Sequence, residues 1–146
     1  MARLDTLKNK AEFDFVYRNA QRFFHKDFVL YMLKFSSIRE SYPLRQQRIF
    51  QSIQSRNAKL HLGLSVSRKI GKAYMRNLIK RRIKAIAYEN CADFKDVIFL
   101  IVVKEGIREM DFATLKNNLL ASFIKMYNAK KTRNIRVLHQ ISHYAG

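Results

Sequence analysis

Apolar residues near the start of the chain recur at the spacing of a helix. Asn9 is followed three residues later by Glu12, the spacing of an N-terminal capping box with Asn in place of Ser or Thr. This pattern predicts a helix over residues 9–20. One face of the helix carries the apolar residues Phe13, Val16, Tyr17 and Ala20.

Three segments have the patterns of β-strands. Residues 27–35 are rich in β-branched and aromatic side chains. Residues 60–67 alternate, with apolar residues on one side and small or polar residues, including Ser65, on the other. The polar side fits a ligand or bulk solvent equally well. Residues 96–103 contain a continuous apolar run, which is typical of a strand buried on both faces.

Two further helices complete the predicted order of elements. Residues 73–90 have a long amphipathic pattern, and Asp111 is placed to cap a final helix. The final helix carries one apolar stripe, Leu115, Leu119, Phe123 and Tyr127. The order is helix, strand, loop, strand, helix, strand, helix. It predicts an α+β fold, a two-layer sandwich in which helices pack on a small mixed sheet of about four strands.

Residues 36–57 are polar and contain the only proline, Pro43. A connection of this length is uncommon in a compact domain and is usually functional or mobile. We therefore predict a mobile inserted loop, with a short helix after Pro43 or a strand near Phe50 as alternatives. The tail, residues 130–146, is basic and has no predicted element. The whole chain, residues 1–146, is predicted to form one domain.

The charge balance of the chain indicates what kind of partner it binds. The chain has 29 Lys and Arg against 11 Asp and Glu, a net charge of +18. A folded domain with this excess repels itself, and a polyanionic partner relieves the repulsion. Nucleic acid is the first candidate and an anionic membrane surface the second. A membrane role would need a large exposed apolar face, which this chain needs for its core.

Other classes of protein fit less well. Cys91 is the only cysteine, so no internal disulfide can form. The four histidines have no zinc spacing, and no catalytic constellation or metal-ligand set stands out. No apolar run is long enough to span a bilayer, and no signal peptide is visible. We therefore expect a cytoplasmic binding protein, and nothing implies a protein partner.

The predicted helix at residues 73–90 carries a basic stripe that folding alone explains poorly. Lys72, Arg76, Lys80 and Lys84 recur one turn apart, with Asn77 and Arg81 beside them. No acidic residue occurs between Arg68 and Tyr88. Like charges at this spacing destabilise a helix by a few tenths of a kcal/mol per pair. We interpret the stripe as a phosphate contact surface; the alternative is a solvated face.

Aromatic side chains are a second candidate feature. Phe13, Tyr17 and Tyr31 could stack on unpaired bases. The alternative is that they pack in the core. Stacking is favoured only if the polar strand face and the basic helix border the same groove.

At the basic helix the sequence resembles a known family. Residues 63–71 read Gly-Leu-Ser-Val-Ser-Arg-Lys-Ile-Gly, and the helix follows directly. This segment resembles the strand and RNR-motif helix of the bacterial ribonuclease P protein family, whose motif is written R-N-R-x-K-R-x-x-R. The matching residues are Arg76, Asn77, Lys80 and Arg81. Leu78 stands where the family commonly has Arg, and Lys84 replaces the last Arg.

The first helix and the segment Phe28-Val-Leu-Tyr31 are similar to the opening elements of the same family. The resemblance covers about residues 3–34 and 60–126. It implies a sandwich around a four-stranded sheet with an unusual left-handed β-α-β crossover, which is rare among proteins.

The resemblance also implies a function. The chain would be the protein subunit of ribonuclease P, whose catalytic RNA uses Mg²⁺ to remove the 5′ leader of precursor tRNA. Mg²⁺ would be bound mainly by that RNA, and no protein side chain would be catalytic. The resemblance places the single-stranded leader in a cleft lined by Phe13, Tyr17, Val29, Tyr31 and Ser65. It places RNA contacts at Arg68, Lys69, Lys72, Arg76, Asn77, Lys80, Arg81 and Lys84.

Two other functions remain as alternatives. A ribosomal or other structural RNA-binding protein, with no role in tRNA processing, would have a similar basic helix. A metal-dependent nuclease acting without an RNA subunit would need a carboxylate cluster, and the acidic residues are few and dispersed.

Overall fold

A computed structural model describes residues 2–129 of the chain. The basic tail, residues 130–146, lies outside the described residues. The strands are β1 Ala2–Thr6, β2 Gln21–Phe24, β3 Phe28–Lys34, β4 Ala58–Ser65 and β5 Val97–Val103. The helices are α1 Lys10–Asn19, α2 Leu44–Ser55, α3 Ala73–Asn90 and α4 Phe112–Asn128. Short 3₁₀ turns follow β3, β4, α3 and β5.

The strands form one mixed sheet in the order β1-β4-β5-β3-β2. β4 pairs in parallel with β1 and β5, whereas β3 pairs antiparallel with β5 and β2. The α+β class is therefore confirmed, but the sheet has five strands rather than about four. The crossover from β4 through α3 to the adjacent parallel strand β5 is present. Its left hand stays a prediction.

Helices cover both faces of the sheet, where a two-layer arrangement was predicted. On one face α3 and α4 bury large side chains such as Ile83 and Phe123 against Leu62 of β4. On the other face α1 and α2 bury a smaller cluster that includes Phe15 and Leu100. β5 contributes to both clusters, which confirms that this strand is buried on both faces.

The polar side of β4 is more buried than its sequence pattern predicts. His61 is fully buried, and Gly63 lies under the side chain of Leu7. A Cβ at Gly63 would lie 2.7 Å from Leu7 Cδ1, so a larger residue would require the Leu7 side chain to shift. Ser65, at the end of the strand, stays partly exposed. A ligand or solvent can therefore reach only this end of the polar side.

Residues 36–57 are not the inserted loop that we predicted. The helix expected after Pro43 is present as α2, and a strand near Phe50 is not formed. Ile53 of α2 is 0% exposed. The Phe50 ring packs 6.3 Å from Phe15 of α1 and 5.0 Å from Phe35, centroid to centroid. Apolar contacts thus dock α2 against α1.

A polar network fastens the end of α2 to the rest of the fold. Arg56 donates from Nη1 and Nη2 to the Glu12 carboxylate at 2.9 and 2.8 Å. Its Nε donates to Asp5 Oδ2 at 2.9 Å. The Nδ1 atom of buried His61 lies 2.8 Å from the same oxygen. One guanidinium therefore joins β1, α1 and α2, and the histidine adds β4.

The protonation states of this network are set by burial and by its hydrogen bonds. Burial lowers the pKa of His61 and outweighs the opposing effect of Asp5. Burial raises the pKa of Asp5, but hydrogen bonds from His61 and Arg56 outweigh it, so that pKa is lowered overall. His61 is thus neutral at pH 7 and donates its Nδ1 proton to a charged carboxylate.

We predict that Arg56→Ala lowers the free energy of unfolding by about 2–4 kcal/mol, because it leaves two largely buried carboxylates without their partner. Urea denaturation followed by circular dichroism measures this. Arg48→Ala is the matched control, since Arg48 is exposed on the same helix and its loss should change stability by less than about 0.5 kcal/mol. Equal effects of the two variants would contradict the role of the network.

Candidate nucleic-acid interface

Helix α1 begins at the predicted cap and positions two of the predicted cleft residues. The Glu12 backbone N–H donates to Asn9 Oδ1 at 3.0 Å, and the Lys8 N–H donates to Glu12 Oε1 at 2.7 Å. The buried face of α1 is turned from the predicted stripe, because Phe15 takes the central core position. Phe13 is half-buried and Tyr17 is 37% exposed, so both lie toward the rim of the α1 contact with the sheet.

The strand register places the other cleft residues in two rows that cross the sheet beneath α1. Residues directly opposite on neighbouring strands point to the same face. The first row, at the end of the sheet, is Phe24, Val29, Val102 and Ser65. The second row is Arg22, Tyr31, Leu100 and Gly63. Val29 is only 8% exposed and forms the floor of the cleft.

Tyr17 spans the cleft above these rows. Its ring meets the Tyr31 ring edge-on, with 5.0 Å between centroids, and its hydroxyl lies close enough to the Ser65 side chain for Ser65 to influence its pKa. Burial raises the pKa of Tyr17, against the opposing effect of Ser65, so the phenol is protonated at neutral pH. The structure thus brings four of the five predicted cleft residues together: Tyr17, Val29, Tyr31 and Ser65. Phe13 packs at the border of the apolar cluster that includes Phe15 and Leu100.

The predicted basic turn borders this end of the sheet. β4 and β5 are parallel, so their carboxyl ends lie at the same end of the sheet, and Ser65 lies at that end. Arg68 follows three residues later, which limits its distance from Ser65 to about 10 Å. Gly71 ends the turn at φ +151°, a conformation that is open essentially only to glycine. Arg108 holds the turn by donating from Nη1 to the Ile70 carbonyl at 3.1 Å.

Helix α3 has the predicted bounds, but its exposed face differs from the predicted stripe. Its buried residues are Ile79, Ile83, Ile86 and Ala87. The most exposed line opposite them runs through Asn77, Arg81 and Lys84. Arg76 and Lys80 are half-buried. The stripe is displaced because residues four apart drift around a helix that has 3.6 residues per turn.

Two arginines of α3 have distinct surroundings. The Nε atom of Arg76 is buried and has no hydrogen-bond partner within residues 2–129. Buried donors normally have an acceptor, so this Nε would bind an outside acceptor only after the Arg76 side chain moves. Arg82 is half-buried. Hydrogen bonds from Thr114 lower the pKa of Asp111, and the Arg82 charge lowers it further.

The basic surface is not neutralised within the described part of the chain. Over residues 2–129, no ion pair involves the cations of the turn or the predicted stripe, Arg68, Lys69, Lys72, Arg76, Lys80, Arg81 and Lys84. Arg68, Lys69 and Lys72 are all exposed. Helix α3 also begins without a side-chain cap, so its free N–H groups add positive potential at the turn.

Two further observations bear on the chemistry of the interface. Among residues 2–129, no group of three or more His, Cys, Asp and Glu side chains is arranged to hold a metal ion. Within the same residues, no helix is long and apolar enough to cross a membrane. The described surface offers cations and aromatic rings, which suit a polyanion with exposed bases.

Several residues of this surface carry no signal in the sequence. Arg22 and Phe24 lie on β2, a strand of four residues that has no periodic signal of its own. Val102 was assigned to the core, and Arg108 had no motif. Pairing with β3 places the β2 residues in the cleft rows, and that pairing joins residues close in sequence through a tight turn.

The fold and the site together define an α+β protein with a cationic surface of the kind that binds RNA. A family model described as Ribonuclease P matches residues 1–127. The ribonuclease P protein component of Helicobacter acinonychis is 33% identical over 131 residues, which cover 88% of this chain and 84% of that protein. The component from Streptococcus gordonii is 30% identical over 114 residues, 78% of this chain and 79% of that protein.

Solved structures agree on the fold. The RNase P protein of Staphylococcus aureus superposes with a TM-score of 0.63 at 22% identity, covering 84% of this chain and 97% of that one. The RNase P protein from Thermotoga maritima gives 0.61 at 20% identity, covering 87% and 99%. The chain belongs to the ribonuclease P protein family. It is a protein component of this ribonucleoprotein endoribonuclease and has a role in tRNA processing.

We predict that Arg81→Ala combined with Lys84→Ala weakens RNA binding and flattens its salt dependence. The slope of log K against log salt should fall by about one unit per lost phosphate contact. The control is Lys59→Ala with Lys95→Ala, which removes the same charge at the opposite edge of the sheet, where β4 and β5 begin. Equal slopes for both double variants would mean that α3 is only solvated.

Proposed function

We propose that the chain binds the single-stranded 5′ leader of precursor tRNA between α1 and the sheet, and binds the catalytic RNA through α3 and the basic turn. One observation carries the proposal. The aromatic cleft and the basic turn lie at the same end of the sheet, where β4 and β5 terminate. A single strand of RNA can therefore contact rings and cations at the same time.

The cleft suits unpaired nucleotides rather than a duplex. Tyr17 and Tyr31 offer ring faces for base stacking, and stacking tolerates any base sequence. The protonated Tyr17 hydroxyl and the Ser65 hydroxyl can bind the sugar and phosphate groups. Because these contacts read few base edges, we expect leader recognition to depend weakly on sequence.

The exposed cations suit the backbone of a large folded RNA. Arg81 and Lys84 are exposed on α3, whereas Arg76 is half-buried. Arginine presents a planar fork that matches phosphate, and lysine a mobile point charge. Each phosphate that these side chains neutralise releases counterions, so assembly should be strongly salt-dependent.

The proposed mechanism is electrostatic and positional. The catalytic RNA and the precursor tRNA repel each other, and a protein of net charge +18 between them lowers that repulsion. The cleft then holds the leader beside the RNA that cuts it. We assign Mg²⁺ and the hydrolytic step to the RNA subunit, and we assign no catalytic role to a protein side chain. We also propose a cytoplasmic location, where precursor tRNA is made in bacteria.

We predict that the full-length protein, added to a bacterial ribonuclease P RNA at low Mg²⁺, raises the rate of precursor-tRNA cleavage at the leader junction. The assay is run with each subunit alone and with both together. Protein without RNA should cleave nothing. No stimulation of the RNA would favour a structural RNA-binding protein instead, and cleavage by the protein alone would indicate a nuclease in its own right.

We predict that Tyr17→Ala weakens binding of a precursor that carries a leader by about fivefold or more, because one stacked base contributes about 1–3 kcal/mol. Binding of mature tRNA should change little. Phe13→Ala should show the same preference, more weakly, since Phe13 is half-buried. Equilibrium binding to the assembled ribonucleoprotein measures both.

The matched control for these variants is Phe112→Ala. Phe112 is 38% exposed at the start of α4, on the opposite face of the sheet. This variant should leave both affinities unchanged. Equal losses on precursor and mature tRNA for Tyr17→Ala would assign Tyr17 to the core rather than to the leader site.

A further inference from the structure

We propose that the edge strand β2 adds one more nucleotide site to the leader surface, formed by the ring of Phe24 and the guanidinium of Arg22. The proposed ligand is a nucleotide of single-stranded RNA, and the inference rests on the proposed function.

The register places both side chains on the cleft face. Phe24 pairs with Val29, and Arg22 pairs with Tyr31. Side chains opposite each other on paired strands point to the same side of a sheet. The neighbouring residue Phe23 confirms the alternation, because it is buried on the other face, in the cluster formed with α3 and α4. Phe24 and Arg22 therefore continue the two cleft rows to the edge of the sheet.

The two rows become long enough for more than one base. The first row runs from Ser65 on β4 through β5 and β3 to Phe24 on β2. Neighbouring strands are spaced by about 4.8 Å, so this row spans about 14 Å across the sheet. Tyr17 reaches only from Tyr31 to Ser65. The part of the row at Val29 and Phe24 lies beyond these two contacts.

The chemistry at β2 fits a nucleotide. The Phe24 ring is partly exposed, and the exposed Arg22 places its Cζ 5.5 Å from the ring centroid. A ring beside a guanidinium can hold a base by stacking and the adjoining phosphate by charge. The nearby cations Lys26 and Lys104 are exposed. Of the carboxylates near this end, Asp27 is largely buried, whereas Glu105, next to Lys104, is exposed.

A protein strand is the other occupant to consider, because β2 is an edge strand and edges can pair with a further strand. The charge favours RNA. Arg22 is part of the site, the Nζ of Lys104 lies 3.4 Å from the carbonyl of His25, the residue after Phe24, and the rows continue into an aromatic cleft proposed to hold RNA. A protein partner that bound at this edge and left leader binding unchanged would overturn the inference.

The absence of tryptophan from the sequence allows a direct test. Phe24→Trp introduces a single tryptophan into the full-length protein, which is then assembled with the catalytic RNA. We expect precursor tRNA with a leader to quench this fluorescence, and mature tRNA not to do so. Phe112→Trp, on the opposite face, is the control and should respond equally to both RNAs.

Affinity measurements separate stacking from a purely structural role. Phe24→Ala and Phe24→Leu should each weaken binding of a full-length leader by about fivefold, since both remove the ring. Arg22→Ala should weaken it and lower the salt slope by about one unit. None of the three should affect a leader shortened until it no longer reaches β2. Wild-type affinity of Phe24→Leu would mean that Phe24 only covers the sheet.

The outcomes distinguish this site from the proposed function. If Tyr17→Ala shows a leader-dependent loss while the Phe24 and Arg22 variants bind as the wild type does, the leader cleft stands and the β2 site is overturned. If the wild-type complex binds precursor and mature tRNA equally, the leader function fails, and this inference fails with it.

Discussion

The parallel pairing of β4 with β5 is the constraint on which the site depends. Parallel neighbours cannot be joined by a tight turn, so the chain must cross the sheet through α3 before β5 begins. That crossing starts at the edge where both strands end. The basic turn and the start of α3 are therefore fixed beside Ser65, although α3 packs on the face opposite α1. The cationic turn and the aromatic cleft lie next to each other because β4 and β5 run in the same direction.

The distribution of acidic residues explains why the surface stays positive after folding. Asp5 and Glu12 are largely buried, and both bind Arg56. Asp14 is paired with Lys10, and Glu89 with Lys116. Asp111 caps α4 by accepting from the Thr114 N–H at 2.7 Å. These carboxylates stabilise elements rather than screen the exposed cations of α3. The charge excess read from composition is thus concentrated where a polyanion can reach it.

The sequence predicted the elements whose signals are local. α3, β5 and the caps at Asn9 and Asp111 follow from periodicity and capping residues, and the structure agrees with them. Both edge strands were missed, because strands of five and four residues form through pairing with a neighbour rather than through their own pattern. His61 was read as part of a polar face, but its partner Asp5 is 56 residues away. Non-local pairs of this kind leave no signal in a single sequence.

The shape of the cleft depends on the position of α1, and side-chain hydrogen bonds hold both ends of that helix. Arg56 fixes the start of the helix, and Asn19 fixes its end by donating to Gln46 Oε1 of α2 at 3.0 Å. With both ends held, Tyr17 is ordered before any ligand arrives, so binding costs less conformational entropy. Neutral His61 supports this arrangement, because its pKa in the folded protein is lowered. The contribution of His61 to the free energy of unfolding is therefore greatest above the ordinary histidine pKa, near pH 6.5, and falls as the pH drops below it. Protonation would also bury an N–H at Nε2, which has no partner within residues 2–129. The same network that holds α2 in place therefore keeps the cleft preorganised at neutral pH.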